Sequence, residues 1–228
     1  MNNFGLCFLA YGDEHIEEFN ILSSDLLLHN PNLNIYVVTN DKLKIINQNL
    51  TVIETKEDFN FNLKRLAIEE AFKYHSTIVL LDTDLKILNK SFSFMSNIVG
   101  DGMYVKWIDK ELTHKAERLN IRNNEYCVEL SKLNYRNQPI QFIPEYCVYL
   151  KITDRVKQKE FIHYWEKYHN KVKDLEPTDR HNDLNGAVEG CIMYLTCLNL
   201  NITIVQGKSE LFTPVTHYGS EQFKTSLI

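Results

Sequence analysis

In the first part of the chain, continuous apolar runs alternate with segments whose apolar residues recur at helical spacing. The run Phe4–Ala10 predicts a first strand, and apolar positions near helical spacing predict a helix over about Glu14–Leu28, which Asp13 can cap. Short β-branched runs at Asn34–Val38 and Thr51–Ile53 predict the next two strands. Strands that alternate with helices indicate βαβ units, and therefore an α/β domain with a mostly parallel sheet.

The most informative stretch is an apolar strand that runs into two carboxylates. A helix predicted over about Asn62–Tyr74 leads to Ile78–Leu81, which is apolar on both faces and so predicts a buried central strand. Asp82 and Asp84 follow at its carboxyl end, where open α/β sheets bind ligands. Two close carboxylates repel each other unless a cation lies between them, and their oxygens suit Mg²⁺ or Mn²⁺. The alternative is an acidic turn that only closes the strand.

Polar segments follow three of the predicted parallel strands. The segments Tyr11–Gly12, Thr39–Asp41 and Asp82–Asp84 come after the first, second and fourth strands. Because the carboxyl ends of parallel strands meet at one edge of a sheet, these segments are expected to converge although they are far apart in sequence.

The second half of the chain continues with strands and helices. Its longest predicted helix covers about Thr153–Lys173, and a polar cluster at Asp179–Gly190 opens another helix that continues to about Leu198. Further strands are predicted at Met103–Trp107, at Ile140–Leu150 with a bend at Pro144, and at Asn201–Val205, and further helices at Ser91–Ile98 and Asn123–Leu130.

Composition and missing motifs narrow the function. The chain has 228 residues, a net charge of −5 and no block rich in lysine or arginine, which argues against a broad nucleic-acid footprint. No apolar run is long enough to span a bilayer and the N-terminus lacks the features of a signal peptide, so a cytoplasmic location is expected. Five scattered cysteines without Cys-x-x-Cys spacing do not suggest zinc. The motifs of P-loop enzymes, classical dehydrogenases and Gly-x-Ser-x-Gly hydrolases are missing.

The order of these features resembles the metal-dependent glycosyltransferases of the GT-A fold. In that family a DxD motif follows a strand, as Leu80-Leu81-Asp82-Thr83-Asp84 does here. The resemblance, which is nearest to the retaining glycogenin- and galactosyltransferase-like families, implies one α/β domain with a mixed, mainly parallel sheet. It divides residues 1–228 into a nucleotide-binding half, 1–90, and a half for the sugar and the acceptor, 91–228. It also implies sugar transfer from a nucleoside-diphosphate sugar, with a UDP-sugar as the expected donor.

The resemblance also implies roles for individual residues. It assigns the nucleotide-sugar to Ala10, Tyr11, Gly12, Thr39, Asn40, Lys64, Arg65, Asp82, Thr83, Asp84 and Lys224, and Mn²⁺ or Mg²⁺ to Asp82, Asp84 and His217. Asp183-Leu184-Asn185 resembles an acidic segment of retaining families, and either Asp183 or Glu189 would carry the acidic role near the sugar.

Alternatives remain open for several of these assignments. Lys64 and Arg65 could form only a solvated helix face, and His217 could be structural, as a lone histidine more often is. The spacing from His217 to Lys224 also departs from the family's His-x-x-Gly-x-x-Lys turn. For the whole chain, one alternative is a nucleotidyltransferase, although Tyr11-Gly12-Asp13-Glu14 is acidic where such enzymes carry a basic, glycine-rich loop. The other is a non-catalytic domain that binds nucleotide or carbohydrate. The acceptor, whether glycan, protein, small molecule or modified base, is not indicated by the sequence.

Overall fold

The computed structural model describes most of the chain. The described residues are 4–88, 92, 95, 98–106, 108, 132–133, 141, 143, 146–173, 185–207, 209–212 and 215–217, of which 61, 185–189, 209–210 and 215–217 are described by their backbone only. The strands are β1 (Phe4–Ala10), β2 (Asn34–Thr39), β3 (Thr51–Glu54), β4 (Thr77–Leu81), β5 (Leu85–Ile87), β6 (Gly102–Val105), β7 (Cys147–Lys151), β8 (Ile204–Gln206) and β9 (Val215–His217). The helices are α1 (Asp13–His29), α2 (Lys64–Phe72), α3 (Arg155–Val172), α4 (Asn185–Asn199) and the short α5 (Ser209–Phe212).

Seven of these strands form one central sheet in the order β3-β2-β1-β4-β7-β6-β8. The strands β1 to β4 are parallel to one another, and β6 is parallel to β8, whereas β7 is antiparallel to both of its neighbours. The strands β5 and β9 form a separate antiparallel pair. The architecture is therefore the predicted α/β domain with a mixed, mainly parallel sheet.

Helices cover both faces of the central sheet. Alternate side chains of β1 point to opposite faces, so that Leu6 and Phe8 pack with the apolar side of α1 whereas Cys7 and Leu9 pack with α2, α3 and α4. The core on the side of α2, α3 and α4 contains the fully buried Trp165 of α3. Its indole nitrogen donates a hydrogen bond to the Asn62 side chain at 2.7 Å. These two cores fix the ends of β1, β2 and β4 along one edge.

Most predicted elements agree with the structure to within a few residues. The run Phe4–Ala10 is β1, and the helices predicted over Glu14–Leu28 and Thr153–Lys173 are α1 and α3. The strand predicted at Ile140–Leu150 begins only at Cys147, and the predicted helices at Ser91–Ile98 and Asn123–Leu130 lie partly or wholly outside the described residues.

The prediction that Asp13 caps α1 is wrong. Gly12 occupies the N-cap position, and no side chain makes a capping hydrogen bond there. Asp13 is the first helical residue, and its Oδ1 lies 2.7 Å from Nζ of Lys44. The carboxylate of Asp13, which the local sequence pattern assigned to the helix cap, therefore contacts Lys44, a residue 31 positions away. Its charge still interacts favourably with the helix N-terminus.

A buried histidine lies at the end of the sheet opposite Asp82–Asp84, the acidic segment that follows β4. His75 is 7% exposed, and its Nε2 lies 3.0 Å from the hydroxyl of Tyr36. Within the described part of the chain, its Nδ1 has no hydrogen-bond partner. Burial, together with the positive charge of Arg155, lowers the pKa of His75 from its ordinary value of 6.5. The imidazole is therefore neutral in the folded protein near neutral pH.

Acid is expected to destabilise the protein through His75. Because its folded-state pKa is below its unfolded-state pKa, the stability associated with the neutral ring is complete above about pH 6.5 and declines as the pH falls below that value. One such group changes the free energy of unfolding by at most about 1.4 kcal/mol per pH unit. Urea unfolding of the wild-type protein and the His75→Gln variant, at about pH 7.5 and about pH 5.5, measures the difference.

The comparison with the variant isolates His75 from His15, whose contribution has the opposite sign. The pKa of His15 is raised in the folded protein, so the stability it provides is present at low pH and is lost as the pH rises. An equal loss of stability on acidification in the wild-type protein and in His75→Gln would contradict the assignment to His75.

Candidate active site

The ends of β1 and β2 are joined at the edge of the sheet by a direct contact. The backbone N–H of Gly12 donates a hydrogen bond to Oδ1 of Asn40 at 2.9 Å. Gly12 has a φ of 83°, a conformation that is strained for residues with a Cβ. Since β1 lies between β2 and β4, the three polar segments that follow these strands come together at this edge.

The residues around this contact differ in how much surface they expose. Ala10 and Thr39 are completely buried, so neither side chain is accessible to a ligand in this structure. Tyr11 is half-buried, its hydroxyl donates to the carbonyl of Glu57 at 2.9 Å, and its ring centroid lies 5.3 Å from that of Phe59. Tyr11, Gly12 and Asn40 are thus the predicted nucleotide-binding residues with accessible surface at the ends of β1 and β2.

The acidic segment lies between β4 and β5 and alternates in burial. Asp82 and Asp84 are half-buried, whereas Thr83 between them is 4% exposed. The backbone N–H of Asp82 donates to the carbonyl of Tyr146 at 3.0 Å, which ties the segment to the start of β7. The two carboxylates therefore keep access to solvent while the residue between them is held in the protein.

The two predicted basic residues at the start of α2 have different environments. Lys64 is 2% exposed, and its Nζ lies 2.6 Å from Oδ1 of Asp82. The Arg65 guanidinium lies 2.8 Å from Oε1 of Glu166 in α3. Lys64 thus contacts the acidic segment directly, whereas Arg65 makes an ion pair between two helices.

A buried carboxylate on α1 holds the same segment from the other face of the sheet. Glu18 is 1% exposed, and its Oε2 accepts a hydrogen bond from the Thr83 hydroxyl at 2.9 Å. Nδ1 of His15 lies 3.0 Å from the same oxygen. The hydrogen bond with Glu18 raises the pKa of His15, and the charges of Glu14 and Asp84 act in the same direction against the effect of burial.

Sequence reasoning missed Glu18 and His15, although a signal was present. Glu18 lies four residues before Leu22, which places it on the apolar side of α1. A carboxylate at a position that the helical pattern assigns to the core requires a buried partner. That partner, Thr83, is 65 positions away in sequence.

Another basic residue that the sequence analysis did not single out lies at the same edge. Lys106 follows β6, and its Nζ is 5.7 Å from the centre of the Tyr146 ring, a distance typical of a cation–π contact. Tyr146 therefore contacts Lys106 through its ring and the backbone of Asp82 through its carbonyl.

The C-terminal part of the chain returns to the acidic segment through β9. The backbone of His217 pairs with that of Leu85, the residue directly after Asp84. Glu189 lies in α4, and neither its side chain nor that of His217 is described. Asp183 and Lys224 lie outside the described residues. Among the side chains that are described, no three His, Cys, Asp or Glu groups form a metal site.

Comparisons with known proteins give only distant similarities. No family model matches the chain, and no curated protein matches its sequence. Among solved structures, the galactosyltransferase LgtC in complex with donor and acceptor sugar analogues is 10% identical, with a TM-score of 0.47 over 97% of this chain and 94% of LgtC. An active-site mutant of LgtC is 12% identical, with a TM-score of 0.45 and the same coverage.

The bifunctional protein IspDF from Campylobacter jejuni is also similar. It is 14% identical, with a TM-score of 0.44, and the match covers 92% of this chain and 51% of IspDF. None of these similarities assigns an activity to the chain, so its function is inferred from its own residues.

No helix in the described part of the chain has the length and apolar character needed to cross a membrane.

Proposed function

We propose that this protein transfers a sugar from a nucleoside-diphosphate sugar, with a UDP-sugar as donor, to an acceptor that is still to be identified. The observation that carries the proposal is the edge where Asn40 contacts Gly12 beside the acidic segment Asp82–Asp84. Polar groups at adjoining ends of parallel strands are suited to a nucleotide, and the neighbouring carboxylates are suited to a cation that accompanies its diphosphate.

The charges at this edge favour a divalent cation together with an anionic ligand. The carboxylates of Asp82, Asp84 and Glu18 and the ammonium groups of Lys64 and Lys106 give a net formal charge of −1. Hard carboxylate oxygens are the donors that Mg²⁺ and Mn²⁺ prefer, so the described residues fit such an ion, and His217 is the proposed third ligand. When bound, the ion would supply positive charge for the leaving diphosphate.

The remaining parts of the proposed site belong to the C-terminal half. Lys224 is proposed to contact the diphosphate and to stabilise the charge that develops on it as the sugar leaves. Asp183 or Glu189 is proposed to lie near the anomeric carbon, as base, nucleophile or stabiliser of an oxocarbenium ion. Both assignments are supported by the sequence resemblance, and β9 supports the return of the C-terminal segment to this edge.

The turn after β1 favours a nucleoside diphosphate over a triphosphate. Asp13 and Glu14 are exposed in the first turn of α1, and Lys44, the nearest basic partner of Asp13, is held at 2.7 Å. The turn therefore presents acidic side chains where a nucleotidyltransferase would need positive charge for a triphosphate. A sugar donor requires no such positive charge at this position.

Thermal unfolding with a panel of nucleotides tests the proposal. A ligand that binds only the folded protein stabilises it by about 2.7 kcal/mol at a hundred times its Kd, which for a chain of this length raises the Tm by roughly 5–11 °C. We expect such a shift with UDP or one UDP-sugar in Mn²⁺, and no shift when EDTA replaces the metal.

Other outcomes separate the alternatives. A shift with nucleoside triphosphates alone would favour a nucleotidyltransferase, and no shift with any ligand would refute nucleotide binding at this edge. A shift with a UDP-sugar, but neither transfer nor slow hydrolysis of that sugar, would indicate a binding domain without catalysis. Chromatography of the UDP released from the sugar donor measures both transfer and hydrolysis.

A further inference from the structure

The carboxylate of Glu18 is buried without full hydrogen bonding. Its Oε2 has two partners, the Thr83 hydroxyl at 2.9 Å and Nδ1 of His15 at 3.0 Å. Its Oε1 has no partner among the described residues. Ile16 and Phe19, which are close to Glu18 on α1, both belong to the buried core under that helix.

Stability alone does not account for a carboxylate at this position. Removing a carboxylate from water costs several kcal/mol unless its oxygens are well paired, and one oxygen of Glu18 is not. A leucine of similar volume would continue the apolar side of α1 through Phe19 and Leu22 at no such cost. Glu18 provides two contacts that leucine would not, one with His15 and one with Thr83, and the hydrogen bond to Thr83 acts on the acidic segment.

That hydrogen bond acts on the residue between the two proposed cation ligands. On one side of the segment, Lys64 holds the carboxylate of Asp82 at 2.6 Å. On the other side, Glu18 holds the Thr83 hydroxyl, and Asp84 follows directly in the chain. Ligands that are fixed before the ion arrives bind it more tightly, because less conformational freedom is lost on binding.

We propose that Glu18 is a positioning residue for the cation site, which fixes Asp84 through the hydroxyl of Thr83. The proposal depends on the proposed function, in which Asp82 and Asp84 bind a divalent ion together with UDP. Glu18 itself does not touch the ion or the nucleotide. Burial of its carboxylate costs stability, and its hydrogen bond to Thr83 orders the segment that binds the ion and the nucleotide.

The Glu18→Leu variant tests this role through two measurements, of which only metal binding is expected to change strongly. We expect Mn²⁺ binding in the presence of UDP to weaken about tenfold, the lower end of the effects seen when groups that support metal ligands are removed. We expect the Tm to change by less than about 4 °C, because the gain from replacing a buried carboxylate by an apolar side chain offsets the loss of its contacts with Thr83 and His15. Electron paramagnetic resonance of free Mn²⁺ measures the Kd, and circular dichroism measures the Tm.

Two variants serve as controls. Glu17→Leu makes the same chemical change at the adjacent, exposed position of α1 and is expected to leave Mn²⁺ binding unchanged. Glu18→Gln keeps a carbonyl oxygen that can accept the hydrogen bond from Thr83, so it should restore most of the binding that is lost in Glu18→Leu. Should Glu18→Leu fail to fold, Thr83→Val removes the same hydrogen bond and is expected to weaken Mn²⁺ binding to a similar extent.

The outcomes distinguish this inference from the proposed function. If the wild-type protein does not bind Mn²⁺ with UDP, the proposed function is wrong and the role of Glu18 is refuted with it. If the wild-type protein binds and Glu18→Leu binds equally well, only the role of Glu18 is refuted. A lower Tm with unchanged binding would show that Glu18 serves stability alone, which would also overturn the inference.

Discussion

Replacing Asp84 by asparagine is expected to abolish cation-dependent nucleotide binding and to leave the fold intact. Asparagine has the same shape but lacks the negative charge that a divalent ligand site needs, so the Kd for Mn²⁺ with UDP should rise by about 100-fold, near 2.7 kcal/mol. Asp84 is half-buried at the open edge of the sheet, and loss of its charge should change the free energy of unfolding by less than about 1 kcal/mol. Calorimetric titration and urea unfolding measure the two quantities.

A carboxylate outside the site provides the control for this experiment. Glu160 is exposed on α3, and Glu160→Gln makes the corresponding change of a carboxylate to an amide without touching the acidic segment. It should bind Mn²⁺ and UDP as the wild-type protein does. Retention of tight, EDTA-sensitive UDP binding by Asp84→Asn would place the cation elsewhere and would remove the basis of the proposed site.

The Asp82→Asn variant is expected to lose both binding and stability. Lys64 is 2% exposed and Asp82 26% exposed, so the substitution leaves a buried ammonium without its carboxylate partner. Loss of one partner of a buried ion pair costs about 3–5 kcal/mol, and the partial exposure of Asp82 favours the lower value of about 3 kcal/mol. That corresponds to a fall in Tm of roughly 6–12 °C for a chain of this length, measurable by circular dichroism.

The double variant Asp82→Asn, Lys64→Met separates the two losses. It removes the buried ammonium together with its partner, and replacing a buried pair by neutral side chains is often close to neutral for stability. We expect the free energy of unfolding to return to within about 1 kcal/mol of the wild-type value, while Mn²⁺ binding stays weak. A double variant as unstable as Asp82→Asn would show that the ion pair does not explain the loss.

The candidate site could be predicted in part because its strands are local features. The apolar run before Asp82 and the polar residues after β1 and β2 indicate strand ends, and parallel strands align those ends at one edge. The sequence therefore predicted which segments meet, and the hydrogen bond between Gly12 and Asn40 joins two of them. It did not predict β9, whose three residues form a strand only by pairing with β5.

The destinations of individual side chains were decided by tertiary structure. Lys64 and Arg65 are adjacent and have similar charge, yet one is buried against Asp82 and the other pairs with Glu166 on α3. Successive residues on a helix point about 100° apart, so packing of α2 between the sheet and α3 sends the two side chains to different partners. The helical pattern places Lys64 on the same side of α2 as the buried Ala67, Ile68 and Ala71, but only the packed structure shows that Asp82 is its partner.

The sequence by itself determined the α/β class, the order of the main strands and helices, and the position of the acidic pair after a central strand. These features follow from apolar periodicity, which acts over a few residues. Only the tertiary structure decided that Lys64 holds Asp82, that Glu18 holds Thr83, and that the chain returns beside Leu85. These contacts join residues that are distant in sequence, and the burial that makes them strong exists only after the sheet and its helices have packed together.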